Sequence, residues 1–153
     1  MTTETQNTTQ TNIELIQLGW SDAQALAMFI RKSVFIEEQQ VAESEEWDDE
    51  DSSALHLIAS KNGQAVATAR LTKKGKLGRM SVLKAHRKQG IGSMMLVALI
   101  NAAKQDGLQE IKLWSQIHAQ TFYEKHGFIA CSNEFLDAGI SHIEMHLNIK
   151  LSP

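Results

Sequence analysis

Apolar and polar residues alternate over Ile13 to Leu18, which predicts a first strand. From Ser21 onward the period lengthens. Leu26, Phe29, Ile30 and Val34 recur at helical spacing and predict a helix over residues 22–37, opened by a Ser21–Gln24 capping box. Leu55 to Ser60 and Gln64 to Leu71 flank Asn62-Gly63, two residues that tolerate positive φ, so they read as a hairpin. The Lys73–Lys76 turn leads into a strand at Leu77 to Leu83. A glycine-punctuated loop then runs into a helix over residues 91–106, whose Met94, Leu96, Val97, Leu99, Ile100 and Ala103 make it apolar nearly all round and therefore largely buried. Gly107 ends that helix. A short strand follows at Glu110 to Trp114, a short helix over residues 116–126 closed by Gly127, and last strands at Phe128 to Cys131 and Ser141 to Ile149.

An early helix, a run of antiparallel strands and then strand–helix–strand–helix–strand make an α+β, or mixed α/β, architecture: one twisted mixed sheet with helices on both faces. The connection from strand 77–83 through helix 91–106 to strand 110–114 should be parallel and right-handed. The single Pro153 interrupts no strand, and no internal repeat is visible.

At 153 residues the chain has the size of one domain, expected over residues 13–150 behind a disordered polar tail over residues 1–12. That tail lacks the basic and apolar stretches of a signal peptide. No window is apolar for long enough to span a membrane, so no membrane role is expected. The lone Cys131 excludes an intrachain disulfide, reads as a small packed side chain, and suits a reducing, cytoplasmic setting. A net charge of −3 argues against a nucleic-acid partner.

The charge is unevenly placed. Residues 43–51 hold seven of the 18 acidic residues, while basic residues gather around 73–76 and 84–88. Taken singly, each cluster reads as a solvated loop. Together they could serve one cationic and one anionic ligand. The acidic run would suit a cationic acceptor such as a polyamine, an aminoglycoside or a lysine side chain. Trp47 within it either caps a substrate pocket or pins the loop.

The basic loop Arg87-Lys88-Gln89-Gly90-Ile91-Gly92 precedes the helix directly. Free backbone N–H groups and the positive end of the helix dipole converge there, which favours a phosphate. No Gly-Lys-Ser/Thr follows, so it is not a Walker A loop, and Met95 stands where a dinucleotide fingerprint needs its third small residue. What remains is Arg87-x-x-Gly90-x-Gly92, whose glycines allow a pyrophosphate to approach closely. About thirty residues on comes Gln116-Ile-His118-Ala-Gln-Thr-Phe122-Tyr123-Glu-Lys125-His126-Gly127-Phe128. Together with that loop, the sequence resembles the GNAT superfamily of N-acetyltransferases from about Ile13 to Ile149. Val34-Phe35-Ile36-Glu37-Glu38-Gln39 and Phe135 to His142 look like a short bacterial branch of it.

The resemblance implies a GNAT fold and an acetyl-CoA-dependent N-acetyltransferase acting on a primary amine, small molecule or peptide, by direct attack in a ternary complex. Acetyl-CoA is the implied co-substrate, and many family members dimerise. By the same likeness Arg87, Lys88, Gln89, Gly90, Ile91, Gly92 and Ser93 wrap the pyrophosphate, and Met80, Ser81 and Val82 pair with the pantetheine arm. A splay between that strand and Glu110 to Trp114 admits the thioester. Gln116 takes the place of an Asn that contacts the cofactor, and Tyr123 protonates the leaving thiolate.

Chemistry agrees: amine attack on a thioester makes an oxyanion that a backbone N–H near Val82 could stabilise, and the amine must shed a proton. Where some members carry a glutamate base, this strand has Arg79 and Ser81. Candidate bases are Glu38, an acid of the 43–51 loop and His118, with Glu38 preferred because it sits where the early helix ends; Gln39, His118 and His142 are candidate acceptor-pocket residues. His142, Glu144 and His146 share one strand face at a spacing able to hold a metal, but they read as a solvent face opposite inward Ile143, Met145 and Leu147, and no metal is expected. Two rivals stay open: a non-catalytic acyl-CoA-binding or sensor module on the same fold, and a nucleotide-binding domain of another kind.

Overall fold

The computed structural model describes residues 12–149. The elements are β1 (Ile13–Leu18), α1 (Trp20–Arg31), a π-helical stretch (Lys32–Glu38), a single helical turn α2 (Glu43–Glu46) and a 3-10 turn (Asp49–Ser53). β2 (Leu55–Lys61), β3 (Gln64–Leu71), β4 (Lys76–Val82), α3 (Ile91–Gln105), β5 (Glu110–Gln116) and α4 (Gln120–Glu124) follow, then β6 (Ile129–Ala130), β7 (Phe135–Asp137) and β8 (Ile140–Asn148). One mixed sheet runs in the order β1-β2-β3-β4-β5-β8-β6, with β7 beside β8. The β4–β5 pair is parallel and the pairs β1–β2, β2–β3, β3–β4 and β5–β8 are antiparallel. The expected α+β architecture is therefore present. The polar tail expected over residues 1–12 lies outside the described residues apart from Asn12, whose carbonyl accepts from the Asn62 N–H at 2.9 Å.

Alternation along β2 divides the two faces. Leu57 and Ala59 pack with α3 residues Met95, Leu96, Leu99 and Ala103 in the main core, while Ile58 faces Ala23 and Ala27 of α1. The Asn62-Gly63 turn has φ of 52° and 87°, as a tight hairpin requires.

Several sequence expectations are corrected. α1 opens behind Gly19 with no side-chain cap, so the capping box does not form; Ser21 lies inside the first turn and the Gln24 amide reaches Met28 Sδ at 3.7 Å. Leu26 and Phe29 face outward, 44% and 64% exposed. The buried stripe is Ala23, Ala27, Ile30, Arg31 and Val34, because small alanines let the helix lie close on the sheet. In α3, Met94 and Val97 face solvent, since a helix on one sheet face buries one side only. Cys131 is exposed rather than packed, at the outer edge just beyond β6. β7 was not expected; it turns back onto β8 through Ala138 and Gly139, at φ of 53° and 77°. Its Phe135 lies beside His142, which is buried rather than on a solvent face.

Candidate active site

β4 and β5 are held together at one end only, by Lys76 opposite Lys112 and Leu77 opposite Leu113. An extra residue in β4 then bends it away: the register against β3 shifts between Thr68 and Arg70, and Arg79 takes a φ of 51°. The strands diverge into a cavity of about 530 Å³ between Met80–Val82 and Trp114–Gln116. The expected splay is present.

The cavity gathers many of the expected residues. Met80, Ser81, Val82, Arg87, Gly92 and Tyr123 line it. Gln39, Gln116, His118 and His142 line it too. Glu38, Lys88, Gln89, Gly90, Ile91 and Ser93 do not line it. Ile91 sends its side chain into the core, 1% exposed, and the Gln89 side chain accepts from Lys61 Nζ at 2.7 Å. Gly90 caps α3 in the left-handed region, φ 84°, and Lys88 precedes it at φ 63°. This geometry leaves the first N–H groups of a 15-residue helix without intrahelical partners. A Cβ on Gly92 would meet Phe122 at 3.5 Å, ordinary contact that couples the loop to α4.

Arg87 is fully engaged. Its Nε donates to the Val82 carbonyl at 2.9 Å, and its two terminal nitrogens fork onto the Glu38 carboxylate at 2.6 and 2.7 Å. That hydrogen-bonded guanidinium holds the Glu38 carboxyl below its usual range. Tyr123 is buried where α4 meets β4, and its hydroxyl lies 3.9 Å from Met80 Sδ. Burial pushes the phenol up to about 12. Gln116 and Gln39 join across the cavity by two amide hydrogen bonds of 2.9 and 3.4 Å.

The acidic segment departs in part from its reading as a solvated loop. Glu46 and Asp51 are 3% and 2% exposed. Arg31 bridges them at 2.8 Å to each, Arg70 binds Asp48 at 2.8 Å and Asp51 at 3.0 Å, and Arg79 binds Asp48 at 3.0 Å. Glu46, Asp48 and Asp51 are therefore held by arginines, while Glu43, Glu45 and Asp49 stay exposed and Glu45 lines the cavity. Burial nonetheless pushes Glu46 up, outweighing Arg79 and Arg31. Burial works to raise Asp48 too, but there Arg70 and Arg79 outweigh it and the net direction is down. His56 donates Nε2–H to the Asp51 carbonyl at 2.9 Å, and its burial lowers its pKa. Trp47 pins the segment: it donates to Glu43 at 3.2 Å and lies 5.2 Å from the Arg31 guanidinium.

Sequence reasoning missed Arg31, Arg70 and His56. One signal was available: Arg70 stands in an otherwise apolar strand run, a position that calls for buried partners. Among the described residues, no group of three or more His, Cys, Asp or Glu could hold a metal, and no helix is long and apolar enough to cross a membrane.

A family model described as "Acetyltransferase (GNAT) domain" matches residues 20–149. The chain belongs to the GNAT acetyltransferase family. It is 38% identical over 123 residues to the uncharacterized N-acetyltransferase YjcF of Bacillus subtilis, covering 78% of this chain and 88% of YjcF. Among solved structures it resembles an acyl-CoA N-acyltransferase from Pseudomonas aeruginosa, at TM-score 0.80 and 28% identity over 89% of this chain and 99% of that one. Escherichia coli ElaA is similar at TM-score 0.79 and 25% identity, over 88% and 99% of the two chains. The protein is thus an N-acetyltransferase of GNAT fold, catalysing acyl transfer.

Proposed function

We propose that the protein moves an acetyl group from acetyl-CoA to a primary amine, small molecule or peptide, by direct attack in a ternary complex. The observation that carries this reading is the divergence of β4 from β5 with the Tyr123 hydroxyl at its inner wall. The pantetheine arm would lie along Met80–Val82, completing the parallel pairing that β5 abandons. The pyrophosphate would sit on the N–H groups of residues 90–93, with Arg87 and Lys88 supplying positive charge. Glu38 accepts from both terminal nitrogens of Arg87. In this reading Glu38 is therefore not the base but a counter-charge that yields Arg87 to the incoming phosphates. A cytoplasmic setting goes with acetyl-CoA as donor and with the unpaired Cys131.

Tyr123 is the donor to the leaving sulfur. Its burial keeps the hydroxyl protonated throughout the physiological range. Full transfer from a phenol near 12 to a thiolate of ordinary pKa, about 8.5, is uphill by about 5 kcal/mol. Tyr123 thus acts first as a hydrogen-bond donor to the developing thiolate, and its proton must be replaced from a stronger acid. Tyr123→Phe should lower kcat by about 10²-fold while acetyl-CoA Kd, measured by calorimetry, stays within twofold. Unchanged turnover in a thiol-release assay would refute the role.

A further inference from the structure

We infer that His142 is the general base that takes the proton from the acceptor amine. The inference rests on the acetyl-transfer reading above and adds the group that reading lacks. β8 pairs with β5 so that His142 stands directly opposite Gln116 and Glu144 opposite Trp114. The side chains of one antiparallel pair share a face, so His142 lies on the face of Gln116 and Trp114, which is the cavity wall next to the splay. Met145 and Leu113, one residue on, point into the core on the opposite face.

The ring is held in one orientation. It is 7% exposed and stacked on Phe135 with ring centroids 6.1 Å apart. Its Nδ1 lies 2.7 Å from the Ile140 carbonyl. A carbonyl only accepts, so Nδ1 carries the hydrogen and Nε2 carries the lone pair. No described residue hydrogen-bonds Nε2, and it is not among the sealed polar atoms without a partner, so its opening is the cavity that His142 lines. The β7–β8 hairpin thus does for this imidazole what an orienting carboxylate does in a catalytic triad.

Among the carboxylates of the wall, Glu46, Asp48 and Glu50 are bound by arginines, and Glu38 is clasped by Arg87 outside the cavity. Glu45 is exposed and Asp137 half-buried, and no described residue orients either carboxylate as the Ile140 carbonyl orients His142. His118 is exposed, and no described residue hydrogen-bonds its ring.

The step balances. The amine lone pair forms the C–N bond as the carbonyl pair moves to oxygen, and His142 Nε2 takes a proton from that nitrogen. The oxygen pair returns, the C–S bond breaks, and sulfur takes the Tyr123 proton. The imidazolium returns its proton through water to the phenolate. Amine and thioester become amide and thiol, and both side chains are restored.

The test uses the full chain, acetyl-CoA and a panel of primary amines, with thiol release as readout. His142→Ala should lower kcat/KM by about 10²-fold or more, hold acetyl-CoA with Kd within twofold, and regain rate in proportion to added imidazole. A variant within threefold of the parent, or a loss that imidazole does not restore, overturns the assignment while leaving the transferase reading intact. A parent chain that binds acetyl-CoA but turns over no amine overturns the transfer reading and the base together. If His142→Ala loses acetyl-CoA binding, His142→Asn is read instead, since its amide can still donate to the Ile140 carbonyl. The same loss supports the assignment, and near-parental activity overturns it.

Discussion

The acidic segment 43–51 turns its carboxylates inward onto Arg31, Arg70 and Arg79, whereas the basic loop 84–90 leaves Lys84 and Lys88 exposed beside unpaired helix N–H groups. In the sequence both are charge runs, seven acids in residues 43–51 and three Lys or Arg in residues 84–90. What separates them is the surface each meets. The acidic run crosses the α1 face of the sheet, where β2 and β3 present His56 and Arg70 as an opposed pair in register. Carboxylates arriving there must pair or carry the full cost of desolvation. The basic run crosses a helix N-terminus, which attracts anions and holds no carboxylate of its own. The fold takes up four carboxylates of one run and leaves both lysines of the other exposed.

The largest test of this contrast is Arg31→Met. Removing one partner of a buried network leaves Glu46 and Asp51 without their shared counter-charge, and about 3–5 kcal/mol of stability should be lost in urea unfolding. Acetyl-CoA Kd should stay within twofold, because Arg31 lies outside the donor side. A large loss of donor affinity in a still-folded variant would refute the separation. Next is Gly90→Val in the loop. At φ 84° a β-branched residue costs roughly 1–3 kcal/mol in backbone strain, although no atom stands within 4 Å of the added Cβ. If the loop relaxes to relieve that strain, acetyl-CoA Kd should rise about tenfold while the melting temperature moves less than in Arg31→Met. Smallest is Glu38→Gln. It removes the one carboxylate that the loop side does engage, and donor affinity should tighten a few-fold, as expected for a partly exposed ion pair. A weaker Kd would mean that Glu38 positions Arg87 for the phosphates rather than competing with them.

The loop, the Phe122-Tyr123 helix and the hairpin at Asn62-Gly63 were legible in the sequence because each rests on local chemistry: glycine at positive φ, helix periodicity and turn propensity. The buried face of α1 was not. Large Leu26 and Phe29 mark the stripe that sequence patterning favours, but packing chose the alanines. β7 escaped notice because Ala138 stands where a hairpin turn usually signals with Asn or Asp. The bulge at Arg79 escaped notice although Gly78, a glycine inside a strand, stands directly before it, and it shifts the register of β4 against β3.

By itself the sequence determined the fold class, most of the order of elements and the glycine loop that opens α3, all properties of short stretches whose energetics are local. Only the tertiary structure decided that four of the seven acids, Glu46, Asp48, Glu50 and Asp51, would meet Arg31, Arg70 and Arg79. It alone decided that Glu38 would hold Arg87, and that a hairpin would aim one imidazole at the splay. Those outcomes depend on residues up to 49 positions apart meeting in register, and such meetings are set by packing and desolvation rather than by any local preference.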